Sequence, residues 1–150
     1  MSSTTTADTA ADSASLTDLN PLKPRVLHVA YHVADIDRAL AFYVGVLGMQ
    51  EQMRLPLGNG LQEVILGFPK SPGAGVILMW NTEDKAPRKL GTGYSRFVLH
   101  VSDVEAALKH LEKHDTRIVT PLTTVGAFKY AMVQDPDGYV IELLHVAARS

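Results

Sequence analysis

The strongest constraint on this chain is an internal repeat. His32-Val33-Ala34-Asp35-Ile36 corresponds to His100-Val101-Ser102-Asp103-Val104, and Ala39-Leu40 to Ala107-Leu108, always 68 residues apart. Near the end of each half, Val76-Ile77-Leu78 aligns with Val140-Ile141-Glu142 at a spacing of 64, and a four-residue difference in loop length accounts for the change. A repeated unit of this size leaves one face open that its copy must cover. The chain therefore reads as two small, similar units rather than one continuous sheet wound in a single direction.

Local patterns give the content of each unit. Residues 26–33 are rich in β-branched residues and carry His28 and His32 on one side. Asp35 suits a helix N-cap, and Ile36, Leu40, Tyr43 and Leu47 then recur at helical spacing until Gly48. Strands are expected at 49–57, 62–68 and 75–81, with turns at Gly58-Asn59-Gly60 and Ser71-Pro72-Gly73. The second copy has a strand at 94–102, a helix from Asp103 carrying Val104, Ala107, Leu108 and Leu111, and strands at 117–124, 128–134 and 139–146. Asp135-Pro136-Asp137-Gly138 is the tight turn before the last strand. The expected fold is α+β: tandem βαβββ modules, at about 26–81 and 94–146 with a linker at 82–93, forming a curved mixed sheet around a cleft.

Composition narrows the function. The chain has no cysteine, which removes disulfides, thiolate ligands and thiol nucleophiles. A net charge of −2 offers nothing to nucleic acid or to an anionic membrane, and no apolar run is long enough to span one. There is no Gly-rich phosphate loop, so no nucleotide cofactor is expected. Thirteen of the first twenty residues are Ser, Thr or Ala. So polar a segment buries too little to order itself, and residues 1–24 are expected to be a flexible tail on a cytoplasmic protein whose folded domain is 25–150.

The repeat sets four residues in corresponding places: His28 and Arg96 on the first strands, Leu78 and Glu142 on the last. The motifs around them carry a resemblance. Tyr43-x3-Leu47-Gly48-Met49, Leu90-Gly91-Thr92-Gly93-Tyr94 and above all Asp135-Pro136-Asp137-Gly138-Tyr139-x-Ile141-Glu142-Leu143 resemble the glyoxalase I branch of the vicinal-oxygen-chelate family. That family includes lactoylglutathione lyases, extradiol dioxygenases and metal-free bleomycin-binding proteins. The resemblance implies paired βαβββ modules, often assembled as a homodimer, and a cleft for a small-molecule substrate. It also implies a divalent metal such as zinc, nickel, iron or manganese, held at the four positions.

Only His28 and Glu142 match that ligand set. Leu78 has no donor atom, and the always-protonated guanidinium of Arg96 cannot ligate a cation. The resemblance then gives Glu142 the role of proton carrier and His28 that of oxyanion stabiliser, on a small oxygenated carbonyl compound. Arg96 either grips an anionic substrate or pairs structurally with Glu142. The matched pair His32 and His100 are assigned to substrate binding. In glutathione-using members an Arg often stands where this chain has His32, which argues against glutathione. Trp80, Phe128 and Tyr130 are the aromatic candidates for the pocket lining, with core or interface packing as the alternative. His110 and His114 belong on the polar side of the second helix. A non-catalytic binding protein and a metal-dependent dioxygenase are the other readings. Because the tail contributes no core residue, deleting residues 1–20 should leave the thermal unfolding midpoint unchanged, and a large fall would show that the tail packs on something.

Overall fold

The computed structural model describes residues 21–71 and 73–148. The expected tail before residue 21 and Pro72 of the second turn lie outside the described residues. The element order is β1 (His28–His32), α1 (Ile36–Tyr43), β2 (Gln50–Gly58), β3 (Leu61–Gly67), β4 (Gly75–Asn81), β5 (Phe97–His100), α2 (Val104–Lys113), β6 (Arg117–Val125), β7 (Phe128–Gln134) and β8 (Val140–Val146). This is βαβββ twice. Both helices begin as the sequence implies. The Asp35 carboxylate accepts from the backbone N–H groups of Asp37 and Arg38, and Asp103 accepts from that of Ala106. α1 is shorter than its apolar spacing suggests: it ends at Tyr43, and turns carry the chain to Gly48, whose φ of +81° needs a glycine. Its buried stripe is Ala39, Phe42 and Tyr43, while Leu40 is only partly covered.

Each module forms its own four-stranded mixed sheet, in the orders β1-β4-β3-β2 and β5-β8-β7-β6. The outer pairs β1–β4 and β5–β8 are parallel, and the remainder are antiparallel. Register corrects one alignment. Ala30 pairs with Ile77, and its repeat mate Val98 pairs with Glu142. The two last strands are therefore offset by 65, and the counterpart of Glu142 is Ile77 rather than Leu78. Leu78 is fully buried and Leu143, its true mate, is 2 % exposed. A shift of one residue moves a side chain to the opposite face, so Leu78 belongs to the core.

The two sheets meet through side chains. Tyr31 of β1 stacks near Tyr139 (ring centroids 4.8 Å apart), Tyr43 (6.1 Å) and Phe97 (6.2 Å). Hydrogen bonds across the modules converge on the 135–139 turn. The Tyr43 hydroxyl donates to Asp135 Oδ2 at 2.6 Å, the Ala34 N–H donates to Asp137 Oδ1 at 2.9 Å, and the Tyr139 hydroxyl donates to the His32 carbonyl at 2.7 Å. Asp135 Oδ1 accepts from the backbone N–H groups of Asp137 and Tyr139. The turn is thus a clamp between the halves. His110, expected to be merely solvated, also bridges them, its Nε2 lying 2.8 Å from the Val46 carbonyl.

Burial pushes the Asp135 carboxyl above the usual carboxylate range, although Tyr43 and the Tyr139 N–H pull the other way. The folded state then holds this proton more tightly than the unfolded chain does. Its contribution to stability is present below the ordinary Asp pKa of about 4 and is lost as pH rises through the raised value. The melting temperature of Asp135→Asn, relative to the parent, should therefore improve as pH rises from about 4 toward neutrality. A difference that stays constant with pH, in calorimetry across that range, would contradict this account.

Candidate active site

Side chains alternate along each strand, so the face of β8 opposite Ile141 and Leu143 carries Val140, Glu142 and Leu144. The strand pairing sets Val98, Met132 and Tyr130 beside them. On this face lies a cavity of about 440 Å³, lined by Arg96, Val125, Phe128, Tyr130, Met132, Glu142 and Leu144. Glu142 is 8 % exposed and is one of two buried charged residues among the described residues, the other being Asp135. The Arg96 Nε donates to Glu142 Oε2 in a short contact, and its Nη1 donates to Ser95 Oγ at 3.2 Å. The Arg96 side chain remains 40 % exposed.

Arg96 lies just before β5, and the neighbouring Tyr94 sets its path. The Tyr94 hydroxyl donates to the Val140 carbonyl at 2.8 Å and accepts from the Phe97 N–H at 3.2 Å, tying the segment to β8. Burial pushes the Tyr94 phenol up to about 12, so it stays a donor. Sequence reasoning did not single out Tyr94, although its place at the end of the glycine-rich 90–94 segment was a usable signal.

The other candidates are scattered. His28 stands on the corresponding face of the first sheet, over Gly75; a Cβ at that glycine would come within 3.1 Å of His28 Cδ2. The cavity holding Arg96 and Glu142 is lined only by second-module residues, so His28 does not reach it within one chain. His32 contributes its carbonyl to Tyr139, and its ring is exposed. His100 lies beside His145, with ring centroids 5.9 Å apart. Tyr130 does line the cavity. Trp80 does not: it is 7 % exposed in the core beside Val64 and Leu78, with the Arg54 guanidinium 5.5 Å from its ring. A larger hollow of about 710 Å³, behind α1 and the 135–138 turn, contains none of the candidates.

A divalent cation does not fit these residues. Ile77 offers no donor, Arg96 already holds Glu142, and among the described residues no three His, Asp or Glu side chains come together as a ligand group.

A profile of the Glyoxalase/Bleomycin resistance protein/Dioxygenase superfamily matches residues 25–143. The chain belongs to that superfamily. It is 35 % identical to a probable lactoylglutathione lyase of Vibrio parahaemolyticus, over 80 % of this chain and 89 % of the relative. It is 29 % identical to a probable lactoylglutathione lyase of Synechocystis, over 83 % and 97 %. Among solved structures it resembles the trypanothione-dependent glyoxalase I of Leishmania major, with 31 % identity and a TM-score of 0.70, covering 81 % of this chain and 86 % of that one. These likenesses support a lyase of the glyoxalase type.

Because Trp80 is a core residue, Trp80→Ala should cost about 3–5 kcal/mol of stability. The milder Trp80→Phe should lower the melting temperature while leaving affinity for any cleft ligand unchanged. A change in affinity without loss of stability would return Trp80 to the site.

Proposed function

We propose that this chain is a glyoxalase-type lyase or isomerase acting on a small oxygenated carbonyl compound. The observation that carries the reading is the Arg96–Glu142 pair lining a cavity whose other residues are Val125, Phe128, Tyr130, Met132 and Leu144, in a chain whose relatives include probable lactoylglutathione lyases. On a compound with a hydroxyl on the carbon next to its carbonyl, the Glu142 carboxylate removes the proton from that carbon, leaving an enediolate; the hydroxyl proton passes to the former carbonyl oxygen, and Glu142 returns its proton to the former carbonyl carbon, so that carbonyl and alcohol exchange places. No atom is gained or lost. Donors aimed at the enolate oxygen lower the barrier because negative charge grows there as the proton leaves.

Within one chain the site lacks His28, which stands on the open face of the other sheet. In this reading a second copy of the chain brings its first module over the cavity. Support comes from apolar side chains left exposed on both faces: Val98, Val125 and Phe128 around the cavity, and Met53 and Leu55 on the first sheet. Exposed apolar area of this kind marks an interaction surface. The homodimer would then hold His28 of one protomer near Arg96 and Glu142 of its partner, with His32 and His100 at the rim.

A binding protein without catalysis is the second reading, favoured by the charge pair being already closed on itself inside apolar walls. Solvent-deuterium exchange into hydroxyacetone and methylglyoxal, followed by NMR, separates the two. The lyase reading expects exchange at the carbon next to the carbonyl, cut by roughly 100-fold or more in Glu142→Gln with little change in melting temperature. It also expects slow turnover of the methylglyoxal–glutathione hemithioacetal even with nickel or zinc added, since His32 gives glutathione no guanidinium to grip. Exchange that is absent, or equal in parent and variant, would remove Glu142 from catalysis.

A further inference from the structure

The donor set in the cavity disagrees with a metal site, and the disagreement has a definite chemical form. Resting on the lyase reading, we infer that Arg96 takes over the metal's task and that the site binds a planar monoanion, a small carboxylate or enolate with an apolar body, without a divalent cation.

The guanidinium has five N–H donors. Nε is used by Glu142, and Nη1 has one bond, to Ser95 Oγ. Nη2 makes no hydrogen bond among the described residues, the side chain is 40 % exposed, and Arg96 lines the cavity. One edge of the fork is therefore occupied, while the Nη edge is available. A carboxylate or enolate is planar and can take two parallel N–H bonds from such an edge. The walls say what the rest of the ligand is like. Val125, Phe128, Tyr130, Met132 and Leu144 surround the pair, and they suit an aliphatic or aromatic body rather than a second charged group.

A metal would have to displace Arg96 from Glu142 and then share the site with a permanent positive charge. Ile77, on the corresponding strand of the other module, adds no donor to offset this. Positive charge in the cavity lining is thus supplied by the chain itself.

The test uses the full chain after dialysis against a chelator, with benzoate as the anion probe and zinc and nickel as the metal probes. Calorimetry should show no stoichiometric binding of either metal at micromolar concentration. Benzoate should bind saturably by NMR titration, with zinc making no difference. Arg96→Met should weaken benzoate by about 10- to 150-fold, the span expected for hydrogen bonds to a charged group. Arg96→Lys, which keeps the charge but loses the fork, should weaken it less and guards against misfolding of the Met variant. Stoichiometric metal binding that Glu142→Gln abolishes would overturn the inference. So would an absence of benzoate binding, or equal affinity in the parent and folded Arg96 variants. The two readings fail separately. Arg96-dependent benzoate binding without any carbonyl exchange sinks the lyase alone, whereas exchange that a chelator stops and zinc restores keeps the lyase and ends the Arg96 proposal.

Discussion

A carboxylate removed from water is tolerated only when its lone pairs are taken up by donors. Asp135 meets that condition in a way that organises everything around it. One oxygen accepts the Tyr43 hydroxyl from the first module, and the other accepts two N–H groups of its own turn. The bonds that make its burial tolerable are thus the same bonds that join the halves. Asp137 adds a second tie, through the Ala34 N–H and the Arg38 guanidinium. From this turn β8 leaves in a fixed direction, and β8 carries Glu142. Tyr94 is then bonded to the first residue of β8 and steers the chain to Arg96. The geometry of the ion pair is inherited, link by link, from a buried turn that does no chemistry.

Much of this was legible in the letters alone, because strand alternation and helical spacing are local patterns and the repeat displays each of them twice. The repeat at 68 gave the order of elements, and Asp35 and Asp103 announced the two helix starts. What escaped was long-range or one residue out of step. Nothing in the neighbourhood of Asp135 shows that its partner is Tyr43, 92 residues away. The turn motif could be recognised, but not its work as a clamp. Leu78 was set opposite Glu142 because letters alone cannot say where the extra loop residues fall, and a strand has no tolerance for a slip of one. Trp80 was assigned to a pocket on residue type; two places along from Leu78, it shares the core face for the same reason of parity.

The two modules have diverged unequally at the site. The first keeps a histidine and an aliphatic side chain at the paired positions, His28 and Ile77. The second keeps a guanidinium and a carboxylate, Arg96 and Glu142. The core faces stay alike, with Val76 matched by Ile141 and Leu78 by Leu143, all 5 % exposed or less. Tight packing penalises change on one side of the sheet, whereas the open side is free to alter its chemistry. Duplication thus allows the fold to be held constant by one face while the other is rewritten.

Replacing an imidazole by a guanidinium at such a position changes the kind of electrophile available. An imidazole can lend a lone pair to a cation, which then polarises an oxygen as a Lewis acid. A guanidinium has no lone pair to lend, but it presents its own fixed positive charge and directed N–H donors. Both arrangements answer the same demand, since an enolate needs positive charge placed where its oxygen will be before the proton leaves. They differ in what holds the charge in place. A metal relies on three or more protein ligands, whereas an arginine needs one anionic partner and a covalent tether. A site that offers a cation only His28 and Glu142 meets the second requirement and not the first, and Glu142, buried beside Arg96, is that partner.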